Sequence, residues 1–135
     1  MTDRSQGTCL CQAVRFEVQG EFDRFYLCHC SRCRKGTGSA HGANLFAPGA
    51  RVTWLSGEEM VRHYELPGTR HTRSFCARCG SALPRMMAAE GMVIVPAGSL
   101  DSPVTVKPTA HICMASRAAW EDGLRDAPRF DGLPA

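Results

Sequence analysis

Apolar and polar residues alternate through Val14, Phe16 and Val18 against Arg15, Glu17 and Gln19, which is the two-residue period of a strand with one face buried. Similar short runs recur at 25–30, 44–47, 51–55, 61–66, 72–75, 82–87, 92–96 and 110–114. Turn chemistry separates nearly all of them: Pro48-Gly49, Ser56-Gly57, Pro67-Gly68, Glu90-Gly91 and the segment from Gly98 to Asp101. That spacing predicts a sandwich or barrel-like arrangement of short strands. Helix signals are sparse. Ser116 is placed to cap a short helix running through Trp120 to Leu124, and the residues after Pro128 read as a tail laid over the surface. With no linker, low-complexity tract or repeat beyond the cysteine pairs, the expected architecture is mainly β with little helix. It spans residues 1–135 as one domain, of which 122–135 form the C-terminal tail.

Size narrows this picture. A chain of 135 residues and 14.7 kDa has room for one modest core, which cross-links would help to stabilise. Charged residues make up 21%, too evenly mixed with apolar ones for a disordered solvating chain. The first twelve residues lack the apolar stretch of a secretory leader, and no apolar run approaches membrane length. A cytoplasmic protein without a membrane partner is expected. In a reducing compartment the 8 cysteines are better read as metal ligands than as disulfides.

Seven of these eight cysteines cluster: Cys9-Leu10-Cys11, Cys28-His29-Cys30-Ser31-Arg32-Cys33 and Cys76-Ala77-Arg78-Cys79-Gly80. Residues i and i+2 of a strand share a face, so Cys9 with Cys11, and Cys28 with Cys30, can each address one ion. Cys76 and Cys79 suit a tight turn closed by Gly80. A structural zinc takes four thiolates or imidazoles, whereas a catalytic one takes three and leaves a position open. The simplest partition gives one Zn²⁺ to Cys9, Cys11, Cys76 and Cys79 and a second, open site to Cys28, Cys30 and Cys33. A four-ligand site drawn from the second and third groups is also arithmetically possible, and reduced core cysteines or a reactive-thiol cluster are the alternatives to metal. Cys113 stands alone and reads as a small core hydrophobe.

Four segments in order, Gly7 to Cys11, Cys28 to Lys35 with Gly36 to Ser39, Phe75 to Ser81, and Gly98 to Asp101, resemble the motifs of the glutathione-dependent formaldehyde-activating family, whose domain is shared with centromere protein V. The resemblance covers residues 7 to about 121. It implies an Mss4-like β fold, a closed zinc on Cys9, Cys11, Cys76 and Cys79, and a second zinc on Cys28, Cys30 and Cys33. It also implies glutathione as the thiol, formaldehyde as its carbonyl partner and S-hydroxymethylglutathione as the adduct.

An open zinc site can lower the pKa of a substrate thiol and hold it for attack on a carbonyl carbon. The expected activity is therefore that of a carbon–sulfur lyase, with Cys28, Cys30 and Cys33 as the catalytic set. Arg32, Arg34, Lys35 and Ser39 are the candidate substrate-binding residues, since arginine offers two-pronged recognition of the carboxylates of glutathione. The competing reading of the basic run is a solvated turn. If residues 28–30 are extended, His29 faces away from both sulfurs and is a packing or supporting residue; His63, His71 and His111 lack a ligand-spaced partner. Trp54, Trp120 and Phe46 read as core, and Met86-Met87 as strand packing. The rival function is a non-catalytic zinc module for protein or nucleic acid, but the chain lacks the broad basic stripe with interleaved aromatics of a nucleic-acid surface. Formal charge sharpens the choice. The +3 at neutral pH falls to zero once seven thiolates and two Zn²⁺ are counted, leaving a local positive patch at residues 32–35 that suits a small anion better than a polyanion.

Overall fold

The protein, seen in a computed structural model, is described from residue 3 to residue 134. Eleven strands follow in order: β1 (Arg4–Thr8), β2 (Arg15–Gln19), β3 (Arg24–Cys28), β4 (Gly42–Pro48), β5 (Arg51–Ser56), β6 (Val61–Glu65), β7 (Thr72–Cys76), β8 (Ala82–Leu83), β9 (Arg85–Met87), β10 (Met92–Pro96) and β11 (Ala110–Ile112). One α-helix, α1 (Ser31–Thr37), joins β3 to β4. The mainly β character predicted from alternation is what the chain adopts.

The strands form three sheets, ordered β1-β2-β5, β11-β3-β4-β10-β9 and β6-β7-β8. All pairings are antiparallel except β11 on β3. Phe16, Val18, Leu45, Leu83, Val93 and Val95 are fully buried, and with Val14, Ala47, Cys9 and Cys76 they make one continuous core. Burying a side chain of this size contributes roughly 1.5–3 kcal/mol, so this layer holds the sheets together and fixes what they carry at their ends. Trp54 lies edge-on to Phe16, with ring centroids 6.1 Å apart. Phe46 is half-buried, edge-on to Tyr26 at 5.5 Å.

Several expectations need correction. The run 82–87 is not one strand: Pro84 has no amide hydrogen for a ladder, so β8 pairs with β7 while β9 pairs with β10 in a different sheet. The segment 4–8 is a strand although its polar sequence, Arg-Ser-Gln-Gly-Thr, carries no apolar alternation. Ser116 does not cap a helix; it ends a 3₁₀ turn at Met114–Ser116, and a second 3₁₀ segment, Ala119–Gly123, begins without a side-chain cap. Trp120, expected in the core, is 56% exposed on that second segment. Cys113 is likewise exposed, because the chain leaves β11 through it with φ 58°, turning it off the sheet before it can pack. Among the described residues no helix is long and apolar enough to cross a membrane.

Candidate metal centre and the cleft beside it

Two cysteine clusters form, one with four thiols and one with three. The sulfurs of Cys9, Cys11, Cys76 and Cys79 lie within 4.8 Å of one another, and so do those of Cys28, Cys30 and Cys33. In the first cluster Cys9 and Cys11 are not on a strand, as their spacing suggested. β1 has ended, and the Gln12 amide donates to the Cys9 carbonyl at 3.0 Å, so a tight turn aims both sulfurs inward. The opposite half comes from the turn after β7, where the Gly80 amide donates to the Cys76 carbonyl at 2.8 Å. Gly80 sits at φ +76°, a conformation that favours glycine.

This donor set fits zinc. A tetrahedron with metal–sulfur bonds of about 2.3 Å has edges of about 3.8 Å; Cys9 to Cys11 measures 3.6 Å and Cys11 to Cys76 measures 3.9 Å. All eight cysteines are free thiols. The Ser81 hydroxyl, 3.2 Å from the Cys79 sulfur, pulls that thiol down to about 5 against burial, with help from the Cys11 and Ser81 amides. Cys11 goes the other way. The Ala13 amide favours its thiolate, yet burial and the sulfurs of Cys9, Cys79 and Cys76 push it up to about 11. Crowded thiols resist shedding all their protons together, and a divalent cation is what offsets the accumulated charge.

The second cluster is built across a strand-to-helix junction rather than along a strand. Cys28 is the last residue of β3, Cys30 is the N-cap of α1, and Cys33 lies in the first turn. The Cys33 amide donates to the Cys30 sulfur at 3.4 Å. Burial opposes the Cys30 thiolate, but that amide, the thiols of Cys33 and Cys28 and the Arg32 amide outweigh it and lower the pKa. Cys28 is raised, chiefly by burial. Cys33 is raised furthest, by burial and then by the sulfurs of Cys30 and Cys28. Three sulfurs with no fourth protein ligand in their group among the described residues match the donor count of an open site.

Cys33 also lines a cleft of about 450 Å³, part of it open to solvent. α1 contributes Arg32, Gly36 and Thr37 to the wall, while Arg73 enters from β7 and Arg85 from β9, with His71 just before β7. Among the described residues none of these three arginines has an ion-pair partner, and the buried Nε of Arg85 has no hydrogen-bond partner. Burial lowers the Arg85 pKa and Arg73 adds to the effect. His71 is also held below its ordinary value, by burial and by Arg85, Arg32 and Arg73. An apolar-walled cleft carrying surplus positive charge beside a sulfur cluster is suited to an anionic thiol.

Of the sequence-derived candidates, Arg32 lines this cleft. Arg34, Lys35 and Ser39 do not: Lys35 and Ser39 are exposed, and Arg34 is half-buried with its Nε unpartnered. Arg73 and Arg85 escaped sequence reasoning, and His71 was set aside there for want of a ligand-spaced partner. They lie about forty to fifty positions from the three-cysteine group, and only the sheet pairing brings them to it.

His29, between Cys28 and Cys30, is fully buried. Its Nε2 lies 2.9 Å from Nδ1 of His111, because β11 runs parallel to β3 with His111 opposite Leu27. His111 thus has a close histidine partner, contrary to its isolated look in the sequence. His63 pairs with the Ser74 hydroxyl at 2.6 Å.

Comparison with known proteins places the chain in a family. Residues 4–116 match the family model "Glutathione-dependent formaldehyde-activating enzyme". A Halomonas elongata protein named "Putative glutathione-dependent formaldehyde-activating enzyme" is 32% identical over 141 residues, covering 96% of this chain and 88% of its own length. A crystal structure of a Rhodobacter sphaeroides protein superposes with a TM-score of 0.58 at 23% identity, covering 78% of this chain and 98% of its own, and supports the fold alone. On the family match and the Halomonas relative together, the chain belongs to the glutathione-dependent formaldehyde-activating enzyme family.

Proposed function

We propose that the protein is a cytoplasmic carbon–sulfur lyase that joins a small anionic thiol, such as glutathione, to a small aldehyde, such as formaldehyde, and reverses the same step. The carrying observation is the position of Cys33, which belongs to the three-thiol cluster and also walls a cleft with three arginines free of ion pairs among the described residues. Eight free thiols accord with a reducing compartment.

Cys28, Cys30 and Cys33 would hold one Zn²⁺, and Cys9, Cys11, Cys76 and Cys79 a second that ties the N-terminal turn to the β7–β8 hairpin. Zinc at the three-thiol site, when bound, supplies a Lewis acid that lowers the pKa of an incoming thiol. The chain's own residues do the rest. Arg32, Arg73 and Arg85 hold the carboxylates of the thiol compound so that its sulfur lies at the Cys33 end of the cleft, and the aliphatic wall of Ala43, Ala82 and Leu83 limits water there. The sulfur lone pair attacks the aldehyde carbon, the carbonyl π pair moves to oxygen, and the proton lost from sulfur ends on that oxygen, giving an S-hydroxymethyl adduct. Nothing is oxidised or reduced, so no redox cofactor is needed.

The test is Cys30→Ser. It should remove about one zinc per chain, leave the fold intact and abolish the acceleration of adduct formation over the spontaneous reaction, followed by NMR with glutathione and ¹³C-formaldehyde. Unchanged turnover in a protein that has lost one zinc would sink the catalytic role.

A further inference from the structure

A third cluster of metal-binding atoms lies on the far side of residue 29, outside both cysteine sets. A ring nitrogen of His29, one of His41 and a carboxylate oxygen of Glu121 lie within 4.8 Å of one another. His29 is fully buried. Its Nδ1, the Nδ1 of His41 and Oε2 of Glu121 are each inaccessible to solvent and without a hydrogen-bond partner among the described residues. Buried polar atoms are nearly always satisfied, yet here three orphans come from three separate stretches of the chain and converge.

The contact between His29 and Glu121 explains why they are not already satisfied by each other. Nδ1 and Oε2 are 3.9 Å apart, beyond hydrogen-bond reach. If Nε2 of His29 donates to His111 at 2.9 Å, Nδ1 presents a bare lone pair to a carboxylate. If instead Nδ1 carries the proton, the separation still makes no bond. A cation between them satisfies both atoms and His41 at once. The His29–His111 contact is then the second interaction that fixes the ring of a metal-bound histidine.

We propose that His29, His41 and Glu121 form a third cation site, taking a borderline divalent ion such as Zn²⁺ through two imidazoles and one carboxylate, with His111 orienting His29. This donor set is the kind that leaves a coordination position open. Closing on bonds of about 2.0–2.2 Å asks for side-chain shifts of less than about 1 Å. The site shares only the backbone of residues 28–30 with the cysteine cluster. The proposal is independent of which thiol enters the cleft.

The experiment titrates Co²⁺ into metal-stripped, reduced full-length protein and counts bound metal in parallel with the absorption spectrum. Equivalents bound by cysteines bring intense sulfur-to-metal charge transfer. A further equivalent that adds d–d absorption with no added charge transfer is the expected result. Glu121→Gln and His41→Ala should each weaken that equivalent at least tenfold while leaving the charge-transfer equivalents unchanged. Saturation of the wild type without a sulfur-free equivalent would overturn the proposal even if both variants misfold, as would a sulfur-free equivalent that survives both substitutions.

Discussion

Arg73 and Arg85 enter the cleft from neighbouring strands of different sheets, and neither has a carboxylate partner among the described residues. A charge-assisted hydrogen bond contributes about 1.5–3 kcal/mol, so Arg85→Ala should raise KM for glutathione on the order of 10- to 100-fold with little change in kcat. Arg85→Lys should recover only part of the loss, since lysine keeps the charge but not the fork. Steady-state kinetics decides it, and an unaltered KM would remove Arg85 from the binding set. His71 gives a pH signature for the same cleft. Its pKa is held below 6.5 by burial and by the three arginines; a bound dianion opposes the arginine contribution and raises it again. Between the lower free value and the higher bound value, binding takes up a proton. Affinity for a thiol-blocked analogue should therefore strengthen as pH falls through that window and level off below it. Calorimetry with S-methylglutathione, which keeps the carboxylates but has no thiol proton to release, in two buffers of different ionisation enthalpy should show net proton uptake below pH 6.5, and His71→Asn should lose it.

Element by element, legibility followed burial. Strands β2, β4 and β10 each put apolar residues into the core; alternation found β2, and short apolar runs bounded by turn residues found the other two. α1 left no such trace because none of its seven residues is buried; a helix with no apolar face has no 3.6-residue stripe to read. Its local signals are instead the Cys30 N-cap and the left-handed Gly38 at its end, within a stretch whose glycines look like a loop. The cysteine grouping was readable from spacing, and so was the turn closed by Gly80 that brings Cys76 and Cys79 together; but at Cys9–Cys11 a turn, and at Cys28–Cys33 a strand-to-helix junction, do what strand alternation was expected to do. Gly36 tests the coupling of α1 to the cleft. A Cβ there would lie 3.0 Å from Cδ of Arg73. Gly36→Ala should gain up to about 1 kcal/mol of helix propensity, offset by that contact. Melting temperature should therefore move little while KM for the thiol rises several-fold, because Arg73 must shift. A lower melting temperature with unchanged KM would show that α1 and Arg73 act independently.

For the molecule as a whole, the four-sulfur cluster is the long-range tie. It joins the turn after β1 to the turn after β7, and Cys9 and Cys76 are also part of the buried core. Zinc-binding free energy at such a site is folding free energy, and closing a long loop removes entropy from the unfolded chain. Cys33 differs, being half-buried at the edge of an open cleft. Cys76→Ser should cost several kcal/mol, lowering Tm on the order of 10 °C or more at roughly 4 °C per kcal/mol for a chain of this size. Cys33→Ser should lower it only slightly while removing turnover and one zinc. A strong chelator should reproduce the Cys76→Ser melting curve in the wild type. Acid should act with the same sign, because thiols that regain protons release the metal, so stability falls as pH falls. Circular dichroism melts read beside zinc counts separate the two clusters, and equal losses from Cys76→Ser and Cys33→Ser would show that structural and reactive metal are not divided between them.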